Sequence, residues 1–290
     1  MQAFSFFVWK SIYYFISLIM MKIIKIENEK DERLDFFYRV NEKQLKHFYE
    51  PEPGLFIGES SLVINRALDE GYEPVSFLIK ENDETLYTDI FNRCESDVIV
   101  YQVSEEIFNR LKGFILIKGI LACFKRKNGL SVEDIISSSN RIVVLEDVEN
   151  PTNVGAIFRN ATGLFADGIL LTKETCDPLY RRSIRVSMGN VFKMKWAYVD
   201  KEDYIDILHQ SGYKTAALAL RDDAVDIDDE KLNNEDKLAI ILGSEGYGLS
   251  DNTISNSDYV VKIKMNPDVD SLNVASASGI ALWQLCKKNK

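Results

Sequence analysis

Three short stretches carry polar side chains at spacings that could do chemistry. The first is NPTNVGAIFRNATG, residues 150–163, where Asn153 opens a helix-like segment and Arg159 stands four residues after Gly155. The second is LAIILGSEGYGLSD, residues 238–251, an apolar run ending in Gly243, Glu245, Gly246 and Gly248. The third, SLNVASASGIALWQL, begins at Ser271, Leu272 and Asn273. A guanidinium is a fixed cation suited to binding phosphate or steadying developing negative charge. It is an odd base, because free arginine holds its proton to a pKa above ~12. The only histidines, His47 and His209, sit near no candidate nucleophile, so chemistry on a histidine base or a multi-histidine metal site is a poor fit. Cys94, Cys123, Cys176 and Cys286 form no CxxC pair, which argues against zinc or a disulfide framework and for a reducing cytoplasm. The expected metal content is none.

These residues need elements to hold them. The run IVVLEDV predicts a strand, and Asn153 can cap the helix after it by accepting a first-turn N–H. Val154, Ile157, Phe158, Ala161 and Phe165 then form an apolar stripe. Arg159 lies off it, on a face with Gly155, Thr162 and Ala166 slim enough for another backbone or a ligand. The glycine turn after LAIIL is neither a dinucleotide fingerprint nor a Walker loop. In the third stretch Val274, Ala277, Ala281, Leu282 and Leu285 form a helical stripe, and Ala275, Ser276, Ser278 and Gly279 make its start slim, which reads as tight packing or a polar end for a ligand.

IVVL, GILL, TAALAL, LAIIL and DYVVKI are continuous apolar runs, which predict a parallel sheet covered on both faces, an α/β unit over 141–290. A smaller unit spans 22–125, with GLFIGESSLVINRALDEGYEPVSFLIKE read as strand, helix, strand. It closes on Lys125, Arg126 and Lys127. Residues 126–140 are polar and serine-rich and read as a linker, and the acidic 221–237 stretch reads as a solvated loop. Residues 1–21 are strongly apolar but split by Lys10 into runs shorter than a bilayer span. A membrane anchor and an interfacial helix are alternatives; the adopted reading is an extension ahead of a start at Met20 or Met21, with no membrane contact. A net charge of −10 argues against an all-over basic nucleic-acid binder and leaves room for a local patch such as Arg181, Arg182 and Arg185.

Together, and in this order, the three stretches resemble the motifs of the SpoU (TrmH-like) RNA 2'-O-ribose methyltransferases of the SPOUT superfamily. DPLYRRSIRVSMGNVF, between the first two, is similar to that family's basic segment, and the resemblance covers roughly residues 141–287. The front unit is more loosely similar to the family's small substrate-binding domain. The resemblance implies a deep trefoil knot, a homodimer and S-adenosylmethionine held by backbone near Leu220, Gly243, Ile263 and Leu272. It implies that Arg159 assists deprotonation of a ribose 2'-hydroxyl once RNA is bound. Asn153 is either a site residue or only a helix cap. Glu245 orients the first motif or satisfies loop N–H groups; Ser271 and Asn273 hydrogen-bond around the site or bridge the dimer. Arg181, Arg182 and Arg185 contact phosphate or form an exposed helix face. Lys264 replaces a common proline and Pro267 a common glycine, departures that leave the arginine and Ser-Leu-Asn intact. Ribosomal RNA is the expected substrate, transfer RNA the second; a catalytically silent RNA-binding protein is the competing class.

Overall fold

The computed structural model describes residues 22–111, 119–266, 268 and 271–286. The apolar extension, residues 1–21, and Pro267 lie outside the described residues. The chain divides into two units, before and after the Asn128–Gly129 bond.

The front unit is a five-stranded mixed sheet. Its strands are β1 (Lys22–Ile26), β2 (Leu55–Glu59), β3 (Pro74–Lys80), β4 (Ile99–Val103) and β5 (Ile120–Lys125), in the order β1-β4-β3-β5-β2. The first three of that order run parallel, and β5 is antiparallel to both neighbours. Helices α1 (Asp35–Tyr38), α2 (Glu42–Lys46), α3 (Ser61–Asp69), α4 (Thr88–Phe91) and α5 (Glu105–Leu111) join the strands. The strand–helix–strand reading of GLFIGESSLV through PVSFLI corresponds to β2, α3 and β3.

The second unit is a seven-stranded sheet, every pairing of which is parallel. Its strands are β6 (Arg141–Leu145), β7 (Gly168–Thr172), β8 (Trp196–Val199), β9 (Lys214–Leu218), β10 (Val225–Asp226), β11 (Leu238–Leu242) and β12 (Tyr259–Lys262), ordered β10-β12-β9-β11-β6-β7-β8. Its helices are α6 (Val132–Ile136), α7 (Pro151–Gly163), α8 (Arg181–Val186), α9 (Tyr204–Gln210), α10 (Glu230–Asn233), α11 (Asp251–Asn256) and α12 (Val274–Leu285). The continuous apolar runs are buried along β7 and β11, as a sheet covered on both faces requires. Arg141, at the start of β6, donates to the carbonyls of Leu285 at 2.9 Å, Asp236 at 2.7 Å and Glu235 at 2.6 Å. A cation there suits the last carbonyls of α12, which have no partner within their own helix.

Two stretches differ from their reading as irregular chain. Within 126–140, Ser131 and Asp134 form a reciprocal cap on α6, and Ile135 is fully buried in the second unit's core. Within 221–237, Val225 and Asp226 pair with β12 as an edge strand, and Asp229 caps α10, which buries Leu232. In both, a few apolar residues among acids or serines carry the packing.

Candidate functional site

The helix that carries Arg159 begins one turn earlier than its sequence suggests. Asn150 is the cap, accepting from the Thr152 N–H at 2.9 Å, and Pro151 takes the first helical position, where it loses no hydrogen bond. Asn153 is therefore not the cap: it lies inside α7 and is only 5% exposed. Val154, Ile157, Phe158 and Ala161 form the buried stripe, whereas Phe165 lies past the helix end at φ 66° and is exposed. The slim face around Gly155 receives a backbone. A Cβ there would stand 2.5 Å from the Ser183 carbonyl oxygen, so α8 packs directly on α7.

Asn153 joins the three stretches. Its amide Nδ2 donates to Glu245 Oε1, and its Oδ1 accepts from Asn273 Nδ2 at 3.1 Å. Asn273 also caps α12, accepting from the Ala275 N–H at 3.0 Å. These three residues line a cleft of about 690 Å³ with Glu149 and Arg182, and Arg182 Nε donates to Thr152 Oγ1 at 2.5 Å. Arg159 is exposed on the same helix, and among the described residues its guanidinium has no protein partner. Arg182 and Arg185 are exposed on α8, and Arg181 is half-buried.

A second, apolar cavity of about 140 Å³ lies where the ends of β9 and β12 meet the segment entering α12. Leu220, Ile263, Ser271 and Leu272 line it, with Leu218, Val261 and Met265. Leu220 is 59% and Leu272 36% exposed, so apolar side chains stand open beside strand-end backbone. Ser271, Leu272 and Asn273 run from this cavity to the polar cleft. Gly243 does not line the cavity. A Cβ on it would stand 2.4 Å from the Gly248 carbonyl carbon, and the Gly248 N–H donates to the Ser244 carbonyl at 3.0 Å, so Gly243 closes a tight turn.

Two residues outside the sequence reading brace the site. Glu146, 1% exposed after β6, accepts from Tyr204 Oη at 2.6 Å, the Ser250 N–H at 2.8 Å and Thr253 Oγ1. It thereby ties the β11 loop to the end of β6. Burial, then the bond to Glu146, push the Tyr204 phenol well above its ordinary pKa and keep it a donor. Asn160 donates to the Ala275 carbonyl and to Ser278 Oγ, both at 2.9 Å, across the α7–α12 contact. Its signal in sequence was its place beside Arg159 and opposite a run of small residues. Burial raises the Cys286 thiol to about 12 and that of Cys94 to about 11, which argues against either as a thiolate nucleophile. Among the described residues no group of acidic, histidine or cysteine side chains is placed to hold a metal.

Comparisons with known proteins agree on one family, and one of them is confined to the second unit. The family profile described as the SpoU rRNA Methylase family matches residues 140–283. A Mycobacterium bovis protein described as an uncharacterized tRNA/rRNA methyltransferase is 31% identical over 88% of this chain and 88% of its own. The Bacillus subtilis 23S rRNA guanosine 2'-O-methyltransferase RlmP is 22% identical over 90% of this chain and 98% of its own. Among solved structures, the AdoMet-bound rRNA methyltransferase of Sinorhizobium meliloti superimposes with a TM-score of 0.77, covering 91% of this chain and 97% of that one at 23% identity, a likeness of fold.

Proposed function

The chain belongs to the SpoU rRNA methylase family, and on that premise we propose that it methylates a ribose 2'-hydroxyl of ribosomal RNA, with S-adenosylmethionine as donor. The observation that carries this reading is the continuity of Ser271–Asn273, which joins the apolar cavity to the cleft of Asn153, Glu245 and Arg182. The residues present fit such a cofactor. Leu220 and Leu272 offer open apolar faces for a purine ring beside Ile263, while strand-end backbone supplies polar partners. The cavity is smaller than the ~300–1,000 Å³ of a full ligand pocket, so it would take one ring and leave the remainder in the open. When bound, the sulfonium supplies an electrophilic methyl group.

The remaining steps fall to the chain's own side chains. Arg159, exposed and uncommitted, binds a phosphate beside the target and lowers the cost of charge on the 2'-oxygen as its proton passes to solvent water and the methyl leaves the sulfonium for that oxygen. Asn153, fixed by Glu245 and Asn273, holds the start of α7 so that this cation is presented in one place. Exposed Arg182 and Arg185 extend the cationic surface along the RNA backbone. Ile280 and Trp283, 40% and 70% exposed on α12, offer an apolar face to a second copy, which supports a homodimer. The knot is supported by the convergence of 218–220, 261–263 and 271–272 on one cavity. Four cysteines outside any disulfide suit a reducing cytoplasm.

The test is transfer of labelled methyl from S-adenosylmethionine to RNA from cells lacking this gene, with ribosomal and transfer RNA kept apart and products digested to nucleosides. A 2'-O-methyl nucleoside from ribosomal RNA is expected. Label only in transfer RNA would move the substrate. Label in a base would sink the mechanism, and no label from a folded chain would favour binding without catalysis.

A further inference from the structure

Tyr247 is 97% exposed, so almost its whole ring faces solvent and forgoes the burial an aromatic side chain ordinarily finds. The loop that carries it is braced. Gly243 lies against the Gly248 backbone, the Tyr247 N–H donates to Ser244 Oγ at 3.3 Å, and the Ser250 N–H is held by buried Glu146. Two residues before the ring, Glu245 engages Asn153. On its other side Tyr247 lines a cleft of about 320 Å³ with Asp147, Glu149 and Glu174, and Glu149 also walls the cleft that holds Arg182.

Charge decides what can reach this ring. Asp147 is paired with Lys201, Glu174 is an exposed carboxylate on the Tyr247 side that repels phosphate, and Glu149, common to both clefts, is faced by Arg182 in the other one. The RNA backbone therefore follows the side of Arg159 and Arg182, and the uncharged base edge and face are left for Tyr247. A rigidly presented aromatic ring beside a backbone-binding surface is a stacking platform, because every base has a π-face. We propose that Tyr247 stacks on a nucleobase turned out of the RNA beside the target ribose, and so positions the substrate without reading its sequence. This inference rests on the proposed RNA substrate.

The test measures KM and kcat on ribosomal RNA from cells lacking this gene, for the full chain, Tyr247→Ala and Tyr247→Phe. Tyr247→Ala is expected to raise KM about 5- to 150-fold, the range of one stacked base, with the effect on KM rather than kcat. Tyr247→Phe restores the KM, because the ring stacks and the hydroxyl does not. An unchanged KM in Tyr247→Ala, or an equal loss in Tyr247→Phe, overturns the proposal. So does a change in oligomeric state, by sedimentation, that accounts for the KM, since it would place the ring between two copies. If the parent chain binds this RNA but transfers no methyl, the proposed activity falls; filter binding of the three chains then decides Tyr247 alone.

Discussion

Among the described residues the front unit buries Ser76 and Thr88 as its polar side chains, whereas the second unit buries Glu146, Asn153, Thr172, Asp177, Thr253 and Ser278 among others. The partners differ as well. Thr88 is satisfied locally, by the Thr85 carbonyl at 3.1 Å, while Glu146 draws its donors from residues 204, 250 and 253. Burying a polar group is costly unless it is paired, and pairing it across distant segments fixes those segments against each other. The second unit accepts that cost where the loops after β6 and β11 meet, which is where Asn153 and Glu245 must be held. The front unit builds a nearly apolar interior.

The contrast is broken most directly at Glu146. Glu146→Ala is expected to cost about 3–5 kcal/mol in urea unfolding, since it strands the Ser250 N–H and leaves the Tyr204 and Thr253 hydroxyls only each other, whereas Thr88→Ala costs about 1 kcal/mol. Equal costs would end the distinction between the units. Next, Arg159→Ala should lower kcat about 10²- to 10³-fold while unfolding stability moves by less than ~0.5 kcal/mol, because the side chain is exposed and uncommitted. A stability loss to match the activity loss would make Arg159 structural. Third, Gly155→Ala should destabilise by about 1–3 kcal/mol through its clash with Ser183, but Gly163→Ala, whose methyl meets nothing within 4 Å, should not destabilise at all.

The smallest effect is electrostatic. Burial pushes the Asp258 carboxyl up, but hydrogen bonds from Lys214 and Thr215 outweigh it and leave the pKa below its ordinary value. A depressed folded pKa means that its stabilisation is fully present above the unfolded carboxyl range, near ~4, and fades as pH falls through the lowered value. Asp258→Asn should therefore flatten the loss of urea midpoint between neutral pH and about pH 3. An unchanged acid slope would remove Asp258 as a contributor.

Asn153, Glu245 and Asn273 of the cleft were legible because they stand in short ordered patterns beside strong apolar runs. The bracing was not. Glu146 sits in LEDVEN, where an acid after a strand reads as turn polarity, and only the fold brings Tyr204 and Thr253 to it. The start of α7 was displaced by one turn because Asn150 and Asn153 are both good caps, and Pro151 decides between them. The parallel sheet followed from its apolar runs, yet β8 escaped because Trp196–Val199 alternates at an edge, and β10 because two residues in an acidic stretch leave almost no pattern.

The clamp of Arg141 on Leu285 orders the events of synthesis. All five strands of the front sheet have been made once residue 125 is joined, so that unit can close while the rest of the chain is still being translated. The second unit opens its sheet with Arg141, whose carbonyl partners arrive 94, 95 and finally 144 positions later. Its first strand waits on α12 for the last of these bonds, so a ribosome stalled before α12 leaves the front unit finished and the second unit unfastened there, a ready substrate for proteases.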